Sequence, residues 1–243
     1  MEEKDMSTSD IGESTSFRQR LENFWYHYKI HTIALICVIF IFSIVMLQTC
    51  SKVSFDGYIL YAGPHELKQN AGGSYVTAVS SLKRVCGDYD NDGATNVALL
   101  NLFVINNEEA DELLTKNPGM EINSSLVTED SETLHQSLLY GDYYVCFLSE
   151  RIFLEYEERY EGKLFVEVSE YLSDGVEYSL ATKRGVYLSS LPFYSLPEIE
   201  NLPEDTVVCL RRLSEVSSVF GKSENAKNFS RGEQIFKNIL SYK

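Results

Sequence analysis

The segment Tyr143–Tyr160, YYVCFLSERIFLEYEERY, changes its hydrophobic period halfway. Tyr143 to Leu148 is an unbroken apolar run, short and rich in aromatic and branched side chains, which suits a strand buried on both faces. From Ser149 the period lengthens. Ile152, Phe153, Tyr156 and Tyr160 recur at three and four positions and so share one stripe of a helix. Ser149 is placed to cap that helix and Gly162 to end it. A strand passing directly into an amphipathic helix is half of a βαβ unit, so the segments on either side decide the sheet.

Upstream the same order occurs twice more. Gly57–Pro64 (GYILYAGP) reads as a buried strand, followed by a helical pattern at Tyr75, Ala78, Val79, Leu82, Val85 and Cys86 behind Gly72-Gly73-Ser74. Asn96–Ile105 reads as the second strand. A short helix over Glu108–Lys116 follows, then a helix from Asp130 or Ser131 to Tyr140, with Leu134 and Leu138 on its buried face and Gly141 as its terminator. Three strand–helix repeats predict an α/β fold of the three-layer type, a parallel sheet covered by helices.

Downstream the pattern shortens. Leu164–Val168, Tyr178–Thr182 and Gly185–Leu191 read as short strands, Pro192, Pro197 and Pro203 punctuate a loop, and Asp205–Arg211 is another strand. The chain closes on a helix in which Ser230 and Glu233 form a capping box and Ile235, Phe236, Ile239 and Leu240 give the buried face.

Ahead of all this lies His31–Cys50, HTIALICVIFIFSIVMLQTC, uncharged from Thr32 to Leu47. A span of about twenty residues is what a helix needs to cross the hydrocarbon core. Arg18, Arg20 and Lys29 precede it and only Lys52 follows closely, while Trp25, Tyr26 and Tyr28 suit the headgroup zone. The apolar stretch is too long for a cleaved signal and no small-x-small site follows it. The expected organisation is a disordered and juxtamembrane tail over 1–30 in the cytoplasm, an uncleaved single-pass span over 31–50, and an extracellular domain over 51–243.

With 21 Lys and Arg against 36 Asp and Glu, the net charge is -15. Such acidity excludes nucleic acid as a partner and close adsorption to anionic lipid, because both need clustered cations. Cys37 and Cys50 belong to the span, and Cys86, Cys146 and Cys209 are too scattered for a disulfide framework or a metal site. They read as small buried residues, with a pairing of Cys86 left open.

The most suggestive motif is Asp88-Tyr-Asp90-Asn-Asp92-Gly93, with Asn96 at the ninth position. Carboxylates at alternate positions before a glycine resemble a calcium loop, but the twelfth position is Leu99 where a carboxylate is required. A solvated turn joining helix to strand is the expected reading, with calcium on Asp88, Asp90, Asp92 and Asn96 as its alternative. No catalytic residues are expected: the chain lacks a Gly-x-Ser-x-Gly elbow, a phosphate loop and a dinucleotide fingerprint, and His65 and His135 have no metal-binding neighbour at a useful spacing. Tyr58, Tyr61, Tyr143, Tyr144, Tyr187 and Tyr194, near strand ends, can line a sugar or peptide cleft or serve as core residues with a wet hydroxyl.

The stretch Leu138–Val168 resembles extracellular solute-binding proteins of ABC uptake systems: Gly141 and Asp142 match that family's turn, Tyr143–Leu148 the strand running into its ligand cleft, and Ser149–Tyr160 the following helix. The chain as a whole is similar to small single-pass membrane proteins of Firmicutes, through the HYK-HTI run and the LYAGP strand. The resemblance implies one lobe of a binding protein, tethered to the membrane, with a small-molecule or protein partner outside the cell. The corresponding functional expectation is a non-enzymatic binding module, solute-binding-like or accessory to a transporter. Its alternatives are a protein scaffold or envelope sensor and, less favoured, a hydrolase.

Overall fold

The computed structural model describes residues 17–50, 54–173, 177–213 and 222–243. Two units result, Met1–Val53 and Ser54–Lys243. The first holds one helix, α1 (Phe17–Cys50), whose Phe24–Met46 window has a mean hydropathy of 2.4 and is 0% buried. It is compatible with a single-pass span or a signal segment. Residues 17–30, the juxtamembrane part of the expected tail, form the first turns of this helix. Phe24 and Tyr28, one turn apart, stack with their ring centroids at 5.2 Å. The tail expectation for 1–16 lies outside the described residues.

The second unit runs β1 (Gly57–Gly63), α2 (Val76–Leu82), β2 (Val97–Phe103), α3 (Asn107–Lys116), α4 (Ser124–Tyr140), β3 (Val145–Ser149), α5 (Glu150–Arg159), β4 (Leu180–Thr182), β5 (Gly185–Tyr187), β6 (Thr206–Leu210) and α6 (Lys222–Leu240). All six strands join one open sheet in the order β2-β1-β3-β6-β5-β4. The first three are parallel, as the strand–helix repeats require, and β6, β5 and β4 extend the sheet antiparallel. The alternation of side chains along each strand feeds two cores. Ile59, Tyr61, Val145, Phe147 and Val208 face Ala78 and Leu82 of α2 and Ile235, Phe236 and Ile239 of α6. Leu60, Ala62, Cys146, Leu148 and Val207 face Leu134 and Leu138 of α4 and Ile152, Phe153 and Tyr156 of α5. Gly185 permits one close approach in this second layer, since a Cβ there would stand 2.5 Å from Val207 and 2.7 Å from Phe153.

Three local expectations are corrected. Leu164–Val168 is not a strand: only Phe165 pairs, in a single bridge to Arg211, because β6 already has β3 and β5 on its two sides. Ser230 and Glu233 do not start the last helix, which is already formed at Lys222. The capping box is at α3, where Asn106 Oδ1 accepts from Glu109 N at 2.8 Å and Glu109 Oε2 accepts from Asn106 N at 2.9 Å. Ser149 makes no side-chain cap for α5, since it closes β3 as a buried residue.

The end of α4 is held by Arg211, which is 0% exposed. Its Nε donates to Tyr143 O at 3.0 Å, Nη1 to Leu138 O at 3.4 Å, and Nη2 to Gly141 O. The guanidinium also lies 4.4 Å from the Tyr144 ring centroid. A cation at a helix C-terminus satisfies carbonyls that have no intrahelical partner and complements the helix dipole.

Candidate binding site at the carboxyl edge

Helix α2, which leaves the carboxyl end of β1, packs on one face of the sheet, and α5, which leaves the carboxyl end of β3, packs on the other. The two therefore diverge at the carboxyl ends of β1 and β3, which is where open α/β sheets leave a crevice. A crevice of about 290 Å3 lies just beyond the end of β1, lined by Pro64, His65, Glu109, Glu112, Leu113, Lys116 and Pro203.

Several polar groups at this end of the sheet lack partners. Ser149 and Thr206 stand opposite one another across β3 and β6, 1% and 0% exposed, and neither hydroxyl has a hydrogen bond. His65 Nε2 is enclosed and likewise unpartnered. Its backbone N–H donates to the Tyr61 hydroxyl at 3.2 Å. Burial lowers the imidazole pKa below its ordinary 6.5, so at neutral pH the ring is uncharged and one nitrogen is an acceptor. Gly63 keeps the strand end open, because a Cβ there would meet the Tyr61 hydroxyl at 2.8 Å and Ser149 Cβ at 3.5 Å.

Charged groups surround these. Arg151 grips Glu109 through Nε at 3.0 Å and Nη2 at 2.8 Å. Tyr187, at the end of β5, donates to Glu150 Oε1 at 2.5 Å, and Glu150 N donates to Asp205 O at 3.0 Å. Burial, then the negative charges of Glu150 and Glu109, push the Asp205 carboxyl above its ordinary 3.8. Asp205 thus holds its proton more tightly in the folded chain than unfolded. The folded state binds the extra proton between 3.8 and the raised value, so this residue's contribution falls as pH rises through that window. Asp205→Asn is expected to raise the melting temperature at pH 7 and to leave it unchanged at about pH 3, where the wild-type carboxyl is already neutral. Thermal melts across that range check it.

The depression itself offers an imidazole acceptor, the carboxylates of Glu109 and Glu112 and the ammonium of Lys116, with the Ser149 and Thr206 hydroxyls buried at the strand ends nearby, a set suited to orienting a polar ligand. Among the described residues, neither His65 nor His135 hydrogen-bonds a serine or cysteine that it could activate. His135 Nδ1 instead pairs with the Tyr156 hydroxyl at 3.4 Å, between α4 and α5.

The tyrosines singled out from sequence do not form one cleft. Tyr61 and Tyr187 reach the carboxyl edge, Tyr58 and Tyr143 pack edge to face at 6.0 Å, Tyr144 lies under Arg211, and Tyr194 donates to Leu202 O at 2.7 Å. The three cysteines of this unit are free. Cys86 is half-buried, with burial pushing its thiol up to about 12, and Cys146 and Cys209 face each other across β3 and β6.

The acidic motif lies between α2 and β2. Oxygens of Asp88 and Asp90 come within 4.8 Å of one another and of Asp56, a residue that sequence reasoning missed, and these three are the carboxylates a metal would meet. The Asp92 carboxylate does not join that group. Backbone amides already bind the cluster. Asp56, 0% exposed, accepts from Tyr89 N at 2.7 Å and from Asn96 N at 2.9 Å, and Asp88 accepts from Asp92 N at 3.2 Å and Gly93 N at 3.0 Å. Asp90 accepts from Asp92 N at 3.1 Å and Asp92 from Ala94 N at 2.8 Å, while Ser54 lowers the Asp90 pKa. Position twelve, Leu99, lies in β2. These bonds are those of a turn fastening the start of β2 to the start of β1.

The fold is thus mixed α/β with one open six-stranded sheet and an apolar N-terminal helix. Compared with family models, curated proteins and solved structures, the chain gives no match.

Proposed function

We propose that the chain is a membrane-anchored, non-enzymatic binding module that takes a small polar ligand at the carboxyl edge of β1 and β3. The observation that carries this reading is the presence at this end of the sheet of three buried, unpartnered polar atoms, His65 Nε2, whose residue lines the crevice, and Ser149 Oγ and Thr206 Oγ1, paired across β3 and β6 beneath it. Buried polar atoms cost free energy unless something satisfies them. A ligand at that edge would supply the missing partners.

The likeness to a solute-binding lobe agrees with this place, since the strand matched to that family's cleft-forming strand is β3, which ends at Ser149. The basic residues ahead of the span, Arg18, Arg20 and Lys29, favour a cytoplasmic N-terminus and a domain outside the cell. A tethered single lobe suits presenting or sensing a ligand beside a transporter better than ferrying it.

A melting-temperature screen of the full chain in nanodiscs tests the reading, using sugars, amino acids, short peptides and divalent cations at millimolar concentration. A ligand at one hundred times its dissociation constant stabilises by about 2.7 kcal/mol, which in a domain of this size corresponds to roughly 5–10 °C. A shift of that order, lost in Thr206→Val, is the expected result. No shift with any compound class would overturn it.

A further inference from the structure

Backbone pairing leaves one long strand edge of the sheet open. In β2, Asn96 O accepts from Asp56 N and Val104 N donates to Gly63 O, so the even-numbered positions face β1. The odd positions, Leu99 and Asn101 among them, therefore point away from the sheet. Phe103 N, the last of that outward row, is covered by Asp130 Oδ2 at 2.7 Å. Among the described residues nothing meets the outward N–H and C=O groups of Leu99 and Asn101, since β2 pairs with β1 alone. The strand reads VALLNLF, with no charge and no proline to discourage pairing. The opposite edge is protected. There β4 has three residues and an irregular register.

The open edge is also recessed. A groove of about 530 Å3 runs along its carboxyl half, with Leu126 and Asp130 of α4 on one side and Glu66, Lys68, Gln69 and Tyr75 on the other, and Asn101 in the strand between, so that two carboxylates face one ammonium. Gln69 Nε2 donates to the Tyr75 hydroxyl at 2.8 Å and Asn101 Nδ2 to the same oxygen at 3.4 Å, while Asn101 Oδ1 is enclosed without a partner. Leu126 is 42% exposed at the rim. Walls on both sides of the strand leave room for a single extended chain. A second copy would have to bring its own pair of walls into the same space.

We propose that the groove along the outer edge of β2 docks an extended peptide strand carrying a basic side chain among apolar ones. Main-chain bonds to Leu99 and Asn101 would supply the pairing, Leu126 an apolar contact, and Glu66 and Asp130 the acidic complement to the basic side chain. The net charge of -15 favours a cationic partner in the same sense. The surface is separate from the carboxyl-edge crevice, and the two proposals stand or fall apart.

The test is fluorescence anisotropy of labelled heptapeptides with the full chain in nanodiscs. The probe alternates valine and threonine around a central lysine. One control has glutamate for the lysine, and the other has N-methylated amides on the edge that would face Leu99 and Asn101. Saturable binding of the lysine peptide, weakened about ten-fold or more by either control, is expected, each loss corresponding to one ion pair or one to two ladder bonds. Leu126→Asp should abolish the lysine peptide's binding and Gln69→Lys should weaken it. The second variant serves if the first does not fold. Equal binding of all three peptides, no binding of any, or binding untouched by both variants would overturn the proposal. A concentration-dependent dimer, broken by Leu126→Asp in a chain that binds no peptide, would assign the edge to a second copy instead.

Discussion

Arg211→Met is expected to lower the unfolding free energy by about 3 kcal/mol, from two or three orphaned carbonyls at roughly 1–3 kcal/mol each, less the relief of no longer burying a charge. Methionine fills most of the volume but donates nothing to Leu138 O, Gly141 O and Tyr143 O, which all receive Arg211 now. The α4 terminus loses its cation and Tyr144 the group stacked on its ring. Arg211→Lys recovers only part of the loss, because an ammonium on a flexible stem cannot reproduce three donors in a plane. Urea unfolding midpoints of the full chain in detergent measure both. A midpoint within error of wild type for Arg211→Met would mean that the α4 terminus is satisfied in some other way.

The second large effect is at Asp56. Its two oxygens hold Tyr89 N and Asn96 N, pinning the ends of the acidic turn to the residue before β1. Asp56→Ala leaves two buried amides without an acceptor and is expected to cost about 3 kcal/mol. Asp56→Asn turns one acceptor into a donor facing an N–H group, so it should be nearly as damaging. Asp92→Ala removes only the exposed bond to Ala94 N and should change stability by less than about 0.5 kcal/mol. Equal losses at Asp56 and Asp92 in the same melts would contradict the division between a buried clamp and an exposed loop.

Much of the fold was legible because its signals are local. The three parallel strands are apolar runs with helical stripes between them, and an alternation of that kind has few other solutions. Boundaries failed where the period was weak. Helix α4 starts at Ser124 under the Asn123 cap, about two turns before the residue expected from sequence, because its first turns carry few core residues and Leu126 is left outside. Leu164–Val168 misled in the opposite way, as an apolar run that packs in the core while pairing through Phe165 alone. Ser230 and Glu233 satisfied the spacing of a capping box inside a helix already formed, since that spacing also occurs by chance on any helix face.

The candidate site was not legible. Its members come from β1, β3, β5, β6 and the loops beside them, and no spacing in the chain announces that Ser149 lies beside Thr206 or that Tyr187 reaches Glu150. Asp56 is similar: a single acid before a strand, distinguished only by the amides that the fold brings to it. The acidic motif drew attention because its residues are contiguous, whereas the carboxyl edge is an effect of strand order.

Hydrogen exchange measured on the full chain in nanodiscs, with and without the compound giving the largest thermal shift, tests the central claim most directly. Added protection is predicted at Tyr61–His65, Leu148–Arg151 and the Asp205–Val207 end of β6, with the acidic turn at Asp88–Asn96 unchanged. Protection confined to that turn, or spread evenly over the sheet, would contradict binding at the carboxyl edge.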